Sequence, residues 1–151
     1  MLDDQDRRLL RQLQASDTLN IGALAARAGM TTATVSRRLA RLERDGIIDG
    51  YGIVIDWRAL GYSVEVSLRV TLDKTYPDAF DAFIAAARKI PQVFEIQTFL
   101  GRVDVRLNLL ARDMAHYQQL YRASILTLPH IADIEALMMV ANVKNSESLA
   151  L

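Results

Sequence analysis

Four arginines recur along one short stretch, Arg37, Arg38, Arg41 and Arg44 in TATVSRRLARLER. Helical spacing of about 100° per residue puts Val35, Leu39 and Leu42 in one narrow apolar stripe. Arg37, Arg41 and Arg44 then fall on the opposite side, with Arg38 on its flank and Ala33 and Thr34 nearer the N-terminus. A guanidinium can grip guanine or phosphate through two hydrogen bonds, and threonine offers a hydroxyl and a methyl for thymine. Thr31, Thr32, Thr34, Arg37, Arg38 and Arg41 are therefore candidate contacts to double-stranded DNA. Arg27 to Arg44 holds five Arg and a single acid, Glu43, a local charge of +4. Glu43 and Asp45 lie at the end of the stretch, so Arg37, Arg38 and Arg41 have no obvious acid within helical reach. That disfavours a merely solvated, ion-paired helix face.

The elements that must position these residues are legible upstream. Asp3 or Asp4 can cap a first helix, and Asp3, Asp4 and Asp6 suit the positive end of its dipole. Leu9, Leu10 and Leu13 form its inward stripe, and Ser16-Asp17 ends it. A second helix spans about Ile21 to Ala28, with Gly29 placed to end it in a left-handed turn. Thr31 or Thr32 caps the third helix, which reaches Asp45 and stops at Gly46. The small Ala25 at the helix crossing, Gly29 in the turn and Val35 ten residues after Ala25 have helix-turn-helix spacing. Ile47 to Asp56 looks extended, with a turn at Asp49-Gly50, and suits a small wing or a connecting strand.

Composition sets bounds. The 151 residues allow one ordinary domain or two small ones. Two small domains with 51% hydrophobic residues would expose much apolar surface, so a self-association surface is expected. Net charge is zero with a pI near 6.7, unlike a general nucleic-acid coat protein, so the basic patch is local. There is no cysteine, which excludes disulfides, thiolate metal sites and cysteine nucleophiles. Two histidines, His116 and His130, are too few for a His-built metal site. Neither a metal nor a cofactor is expected. MLDDQDRRLL lacks the apolar core of a signal peptide, and no apolar run approaches membrane-spanning length. A cytoplasmic protein is the expectation.

The second half has another rhythm. Val64, Val66, Leu68, Val70 and Leu72 alternate with polar residues, a strand with one buried face. Pro77 sits in the first turn of a helix whose Phe80, Phe83, Ile84 and Ala87 share a face. Val93 to Leu100 is a second strand, and Val103, Val105, Leu107 and Leu109 alternate in a third, with Gly101-Arg102 as a tight hairpin between them. Asp113 caps a helix carrying Met114, Tyr117, Leu120, Tyr121, Ile125 and Leu128. Pro129-His130 ends it, and Ile131 to Val143 is a fourth strand. The fold class is α+β. A helix-turn-helix domain with a linker strand occupies 1–56, and a ferredoxin-like βαββαβ domain with a four-stranded antiparallel sheet occupies 57–151. Both helices should cover one sheet face, leaving Glu65, Arg69, Asp104, Arg106 and Asn108 on the other. Gly101-Arg102-Val103-Asp104 reads as ordinary turn chemistry. An aspartate beside free backbone amides is also physically suited to the two ends of an amino acid.

Taken together, LDDQDRRLLRQLQ, IGALAARAGMTTATVSRRLARLERDGIIDGY and the βαββαβ half with LGRVD in its hairpin resemble the Lrp/AsnC family, the feast/famine regulators of amino-acid metabolism. The resemblance covers nearly the whole chain. VSRRLARLERDGII is the specific motif, and GRVD matches the family's G-x-x-D turn. The resemblance implies a transcription factor with an N-terminal winged helix-turn-helix domain and a C-terminal effector-sensing domain. It implies homodimers joined through the C-terminal sheets, often assembled to octamers, acting on a palindromic operator. It implies an effector, usually an amino acid, held between subunits near the G-x-x-D loop. On this sequence the effector residues would be Gly101 and Asp104, with Leu100 and Arg102 beside them. The sequence departs from the family pattern in two places. Leu100 stands where Thr or Ser is frequent, and Ile134 and Ala136 stand where the fourth strand often carries a T-x-T pair facing the effector. Both changes remove hydroxyls, so the pocket is expected either to take an apolar ligand or to have lost amino-acid sensing.

Two other functions fit the layout. Some proteins of this plan decarboxylate sirohaem-type tetrapyrroles using His and Arg, and here only His116 and His130 could serve. A sensing subunit that binds no DNA is the other, and Arg37, Arg38 and Arg41 disfavour it.

Overall fold

The computed structural model describes residues 2–16 and 19–144. They fall into two compact units, one built on residues up to Val54 and the other on Ile55–Val143.

The first unit holds three helices, α1 (Asp4–Gln14), α2 (Ile21–Ala28) and α3 (Thr32–Arg44). Asp3 caps α1 in a reciprocal box: the Asp6 N–H donates to Asp3 Oδ1 at 2.7 Å, and the Asp3 N–H donates to Asp6 Oδ2 at 3.0 Å. The helix stops at Gln14 with Ala15 as its cap, earlier than the expected Ser16-Asp17; Asp17 lies outside the described residues. Asn20 caps α2 by accepting the Ala23 N–H at 3.0 Å. Gly29 ends it at φ 66°, and the Met30 N–H returns to Ala25 O at 2.9 Å. The inward stripes meet in a core of Leu9, Leu10, Leu24, Ala25, Ala28, Val35, Leu39 and Leu42. Residues 47–56 form no strand. The Ile47 and Ile48 N–H groups both donate to Leu42 O, so the chain folds onto the end of α3 and makes no hairpin ladder there. Tyr51 is tied back too, its hydroxyl donating to Glu43 Oε1 at 2.7 Å.

The second unit runs β1 (Val64–Leu72), α4 (Ala79–Ala87), β2 (Val93–Thr98), β3 (Val105–Ala111), α5 (Met114–Leu120), a π-type turn at Tyr121–Ile125, and β4 (Ile131–Met138). The sheet is antiparallel in the order β2-β3-β1-β4. Its register places Leu68 between Leu107 and Ala136. Val66, Leu68, Val70, Val105, Leu107 and Leu109 form the buried sheet face, covered by Phe83 and Ala87 of α4 and by Tyr117, Leu120 and Ile125. The expected βαββαβ order therefore holds.

Its details differ from expectation in four places. Pro77 lies before α4, because Asp78 is the N-cap; the helix buries Ala79, Phe83 and Ala87 and leaves Phe80 36% exposed. The strands β2 and β4 end early, at Thr98 and Met138. The link between β2 and β3 spans Phe99 to Asp104, longer than the two-residue turn expected at Gly101-Arg102. Asp104 itself is 3% exposed and sits before β3, so it is no member of the outward polar face. The reason is local: the Asp104 N–H donates to Val70 O at 2.9 Å and its carboxylate accepts the Leu72 N–H at 2.8 Å. These bonds tie it to the end of β1.

Candidate functional site

Helix α3 carries the four arginines. Thr31 caps it, accepting the Thr34 N–H at 3.2 Å and donating its own hydroxyl to Thr34 Oγ1 at 2.9 Å. Thr31 and Thr32 are exposed at the helix start, with Thr34 half-buried behind them. Val35, Leu39 and Leu42 are buried. A groove of about 420 Å³ is lined by Arg37, Arg38, Arg41 and Arg44.

The four arginines are not equivalent, which corrects the expectation that Arg38 and Arg41 lack acid partners. Arg38 is 15% exposed and lies against α1. Its Nη1 donates to Asp3 Oδ2 at 2.8 Å and to Asp6 Oδ1 at 2.7 Å, its Nη2 donates to Gln5 Oε1, and its Nε is buried. Arg41 donates through Nη2 to Asp6 Oδ2 and keeps 38% of its side chain exposed. Arg44 is solvent-exposed beside Asp45, and Arg37 makes no ion pair among the described residues. Arg37 and Arg41 thus remain available to an anion, whereas Arg38 is held on three sides.

The electrostatics follow from this packing. The Arg38 guanidinium, helped by the Asp6 N–H, lowers the Asp3 pKa to about 2. Burial would raise Asp6, but the Asp3 N–H and Arg38 outweigh it and hold its carboxyl below the usual range. The same two carboxylates raise Arg38. Asp6 shares a helical face with Leu9, Leu10 and Leu13, at spacings of three, four and seven. An acid in an apolar stripe signals a buried ion pair, so the sequence itself carries the mark of this contact.

In the second unit the hairpin carries the candidate ligand residues. Leu100 is fully exposed at the tip, Gly101 has φ 156°, and Arg102 is exposed with its carbonyl accepting the Thr71 hydroxyl at 2.9 Å. Asp104 lies behind them, paired with Lys74 Nζ at 2.9 Å. Burial would raise its pKa, but the Leu72 N–H and Lys74 hold it low. Lys74 carried no sequence signal, since only the curl of the chain after β1 brings it back. Ile134 pairs with Val70 and Ala136 with Leu68, on the side of the sheet that the helices cover. Ile134 packs on the core and Ala136 is exposed at the β4 edge. The structure therefore brings Asp104 and Ile134 to opposite flanks of Val70, with Leu100 out at the tip.

On the uncovered face, Arg106 donates to Gln97 and lies 5.6 Å from the Phe99 ring, while Asn108 donates to Glu95. Arg69 faces Glu135 at 3.9 Å. A groove of about 460 Å³ near Trp57, Arg58, Glu65 and Met139 opens in the same unit. The histidines have local duties. His116 Nδ1 accepts the Arg112 N–H at 3.1 Å, and His130, at φ 62°, stacks on Tyr76 with ring centroids 4.4 Å apart. Among the described residues no helix is long and apolar enough to cross a membrane.

A helix-turn-helix with arginines along its third helix, followed by a separate βαββαβ unit, is the plan of a DNA-binding transcriptional regulator with its own ligand domain. Two family models match this division, a winged helix-turn-helix DNA-binding model over residues 2–49 and the Lrp/AsnC ligand binding domain over residues 65–149. The chain belongs to the Lrp/AsnC family. It is similar to the leucine-responsive regulatory proteins of Salmonella typhimurium and Escherichia coli K12, each 31% identical over 150 residues, 99% of this chain and 92% of the relative. Its fold matches a transcriptional regulator from Neisseria meningitidis solved with L-methionine, with a TM-score of 0.89 at 24% identity over 99% of this chain and 96% of that one. An AsnC family regulator from Agrobacterium tumefaciens matches with a TM-score of 0.85 at 26% identity, over 98% and 96% of the two chains.

Proposed function

We propose that this regulator reads a palindromic operator as a homodimer, that dimers assemble further to octamers, and that an apolar amino acid sets its DNA binding or assembly. It acts in the cytoplasm, without catalysis and without a cofactor. Residues 1–56 supply the DNA contact and residues 57–151 the sensing and assembly surfaces. Thr31, Thr32, Thr34, Arg37 and Arg41 meet DNA, and Arg38 supports them from behind. Leu100, Gly101, Arg102 and Asp104 meet the effector, with Ile134 and Ala136 shaping the β4 side. The observation that carries the DNA reading is the arginine groove on α3, where Arg37 and Arg41 keep donors exposed. An apolar effector is supported by the exposed Leu100, which carries no hydroxyl, and by the leucine-responsive relatives.

The test is DNA binding by fluorescence anisotropy on duplexes from upstream of the protein's own gene, repeated with each free amino acid and across a salt series. Affinity should fall as salt rises, because phosphate contacts release counterions. Leucine, methionine or phenylalanine should shift the curve. A shift confined to asparagine, lysine or glutamine would rule out the apolar effector, and salt-insensitive or absent binding would rule out the DNA reading.

A further inference from the structure

The carboxylate of Asp6 does two jobs at once. It closes the capping box of α1 and it binds two guanidiniums of α3, Arg38 at 2.7 Å and Arg41. It is 0% exposed, so water does not compete for it. Of the four groove arginines, two have their charge balanced from behind by Asp3 and Asp6. The remaining donors of Arg41 are restricted in direction, because a guanidinium is a rigid planar fork and Nη2 is already engaged.

We propose that Asp6 is a positioning residue for DNA recognition: it holds Arg41 in one orientation at the rim of the groove and lowers the groove's charge, so that α3 discriminates between sequences. The inference rests on α3 being the DNA-contacting helix. A freed Arg41 would keep its charge and lose its direction. It could follow any phosphate but would no longer select a base edge. Base selection depends on geometry, whereas non-specific binding depends on the number of phosphates neutralised. Asp6 therefore trades general affinity for selectivity.

The experiment uses the full chain and two duplexes, one enriched by the wild-type protein from a random-sequence pool and one of the same composition shuffled. For Asp6→Asn, the ratio of affinities for the enriched and shuffled duplexes should fall about tenfold, the scale of one good bidentate base contact. Binding to the shuffled duplex should hold or tighten, with a log–log salt slope steeper by about 0.9 for one added phosphate contact. Equal losses on both duplexes with an unchanged slope would make Asp6 a residue of the fold alone and overturn the proposal. Should Asp6→Asn fail to fold, Arg41→Lys keeps the charge and removes the fork. It should lower the ratio, and an unchanged ratio would overturn the proposal. Arg37→Ala separates the two levels. If it and Arg41→Lys both bind as wild type, α3 is not the reader. If Arg37→Ala weakens binding while Asp6→Asn leaves the ratio intact, only the role of Asp6 fails.

Discussion

Lys74 Nζ lies 2.9 Å from Asp104 Oδ1, so this buried carboxylate already holds an ammonium from its own chain. Lys74 is more than half exposed but the Asp104 side chain is only 4% exposed, so the pair outweighs a surface pair, which is worth about 0.2–1 kcal/mol. A zwitterionic effector at this carboxylate has to displace Lys74. Lys74→Met should therefore tighten amino-acid binding by about two- to fivefold. Isothermal titration with leucine and methionine measures this, and weaker binding by the variant would mean that Lys74 receives the effector's carboxylate instead.

Neighbouring arginines on α3 should fail in opposite ways. Arg37→Ala removes an exposed group with no ion pair among the described residues, so DNA affinity should drop by about 1–3 kcal/mol while thermal stability holds. Arg38→Ala strips a partner from the buried Asp6, which keeps Arg41 and the Asp3 N–H. Stability should fall toward the lower end of the roughly 3–5 kcal/mol cost of breaking a buried pair. Paired melting curves and anisotropy titrations separate the two.

Acid should act on the same cluster. The folded Asp3 pKa is about 2 against an ordinary 3.8, and Asp6 is also lowered. A depressed carboxylate stabilises the fold fully above its unfolded pKa and loses that contribution as pH falls through the folded one. Helix content followed by circular dichroism should thus decline between about pH 4 and pH 2. Asp3→Asn should be less stable at neutral pH and show a flatter acid limb; an identical limb would detach Asp3 from the transition.

Gly29 answers to conformation rather than space. Its φ is 66°, and an added Cβ would meet only Arg8 Nη1, at 4.0 Å. Gly29→Ala should cost about 1–2 kcal/mol, the penalty of a left-handed residue, and Gly29→Asn should cost less. Chemical denaturation gives the difference, and equal costs for the two would point to a steric origin.

The second core offers a sharp contrast on one helix. Phe83 is fully buried beneath the sheet while Phe80 is 36% exposed. Phe83→Ala should destabilise by about 3–5 kcal/mol, and Phe80→Ala, still mostly covered, by clearly less. Comparable losses in urea unfolding would contradict the register of α4.

Much of this architecture was legible because it follows from local periodicity. The stripe Val35-Leu39-Leu42, the caps Asp3, Thr31 and Asp113, the turn at Gly29 and the alternation of β1 are all short-range patterns. The Phe80 misplacement arose because its spacing fits a helical face as well as that of Ala79 does; only the start of α4 at Asp78 decides between them.

The sequence by itself determined three helices with an arginine-bearing third, the βαββαβ order, and the residue types of both candidate sites. Those depend on spacing within a dozen residues, which the chain carries explicitly. Tertiary structure alone decided what the charges do. Asp6 reaches Arg38 across 32 positions and Asp104 reaches Leu72 across 32, while Lys74 returns to Asp104 after β1 ends. Coulomb energy depends on separation in space and on burial, not on separation along the chain. Packing therefore decided that Arg38 faces inward, that Arg37 makes no ion pair among the described residues, and that Asp104 is already occupied.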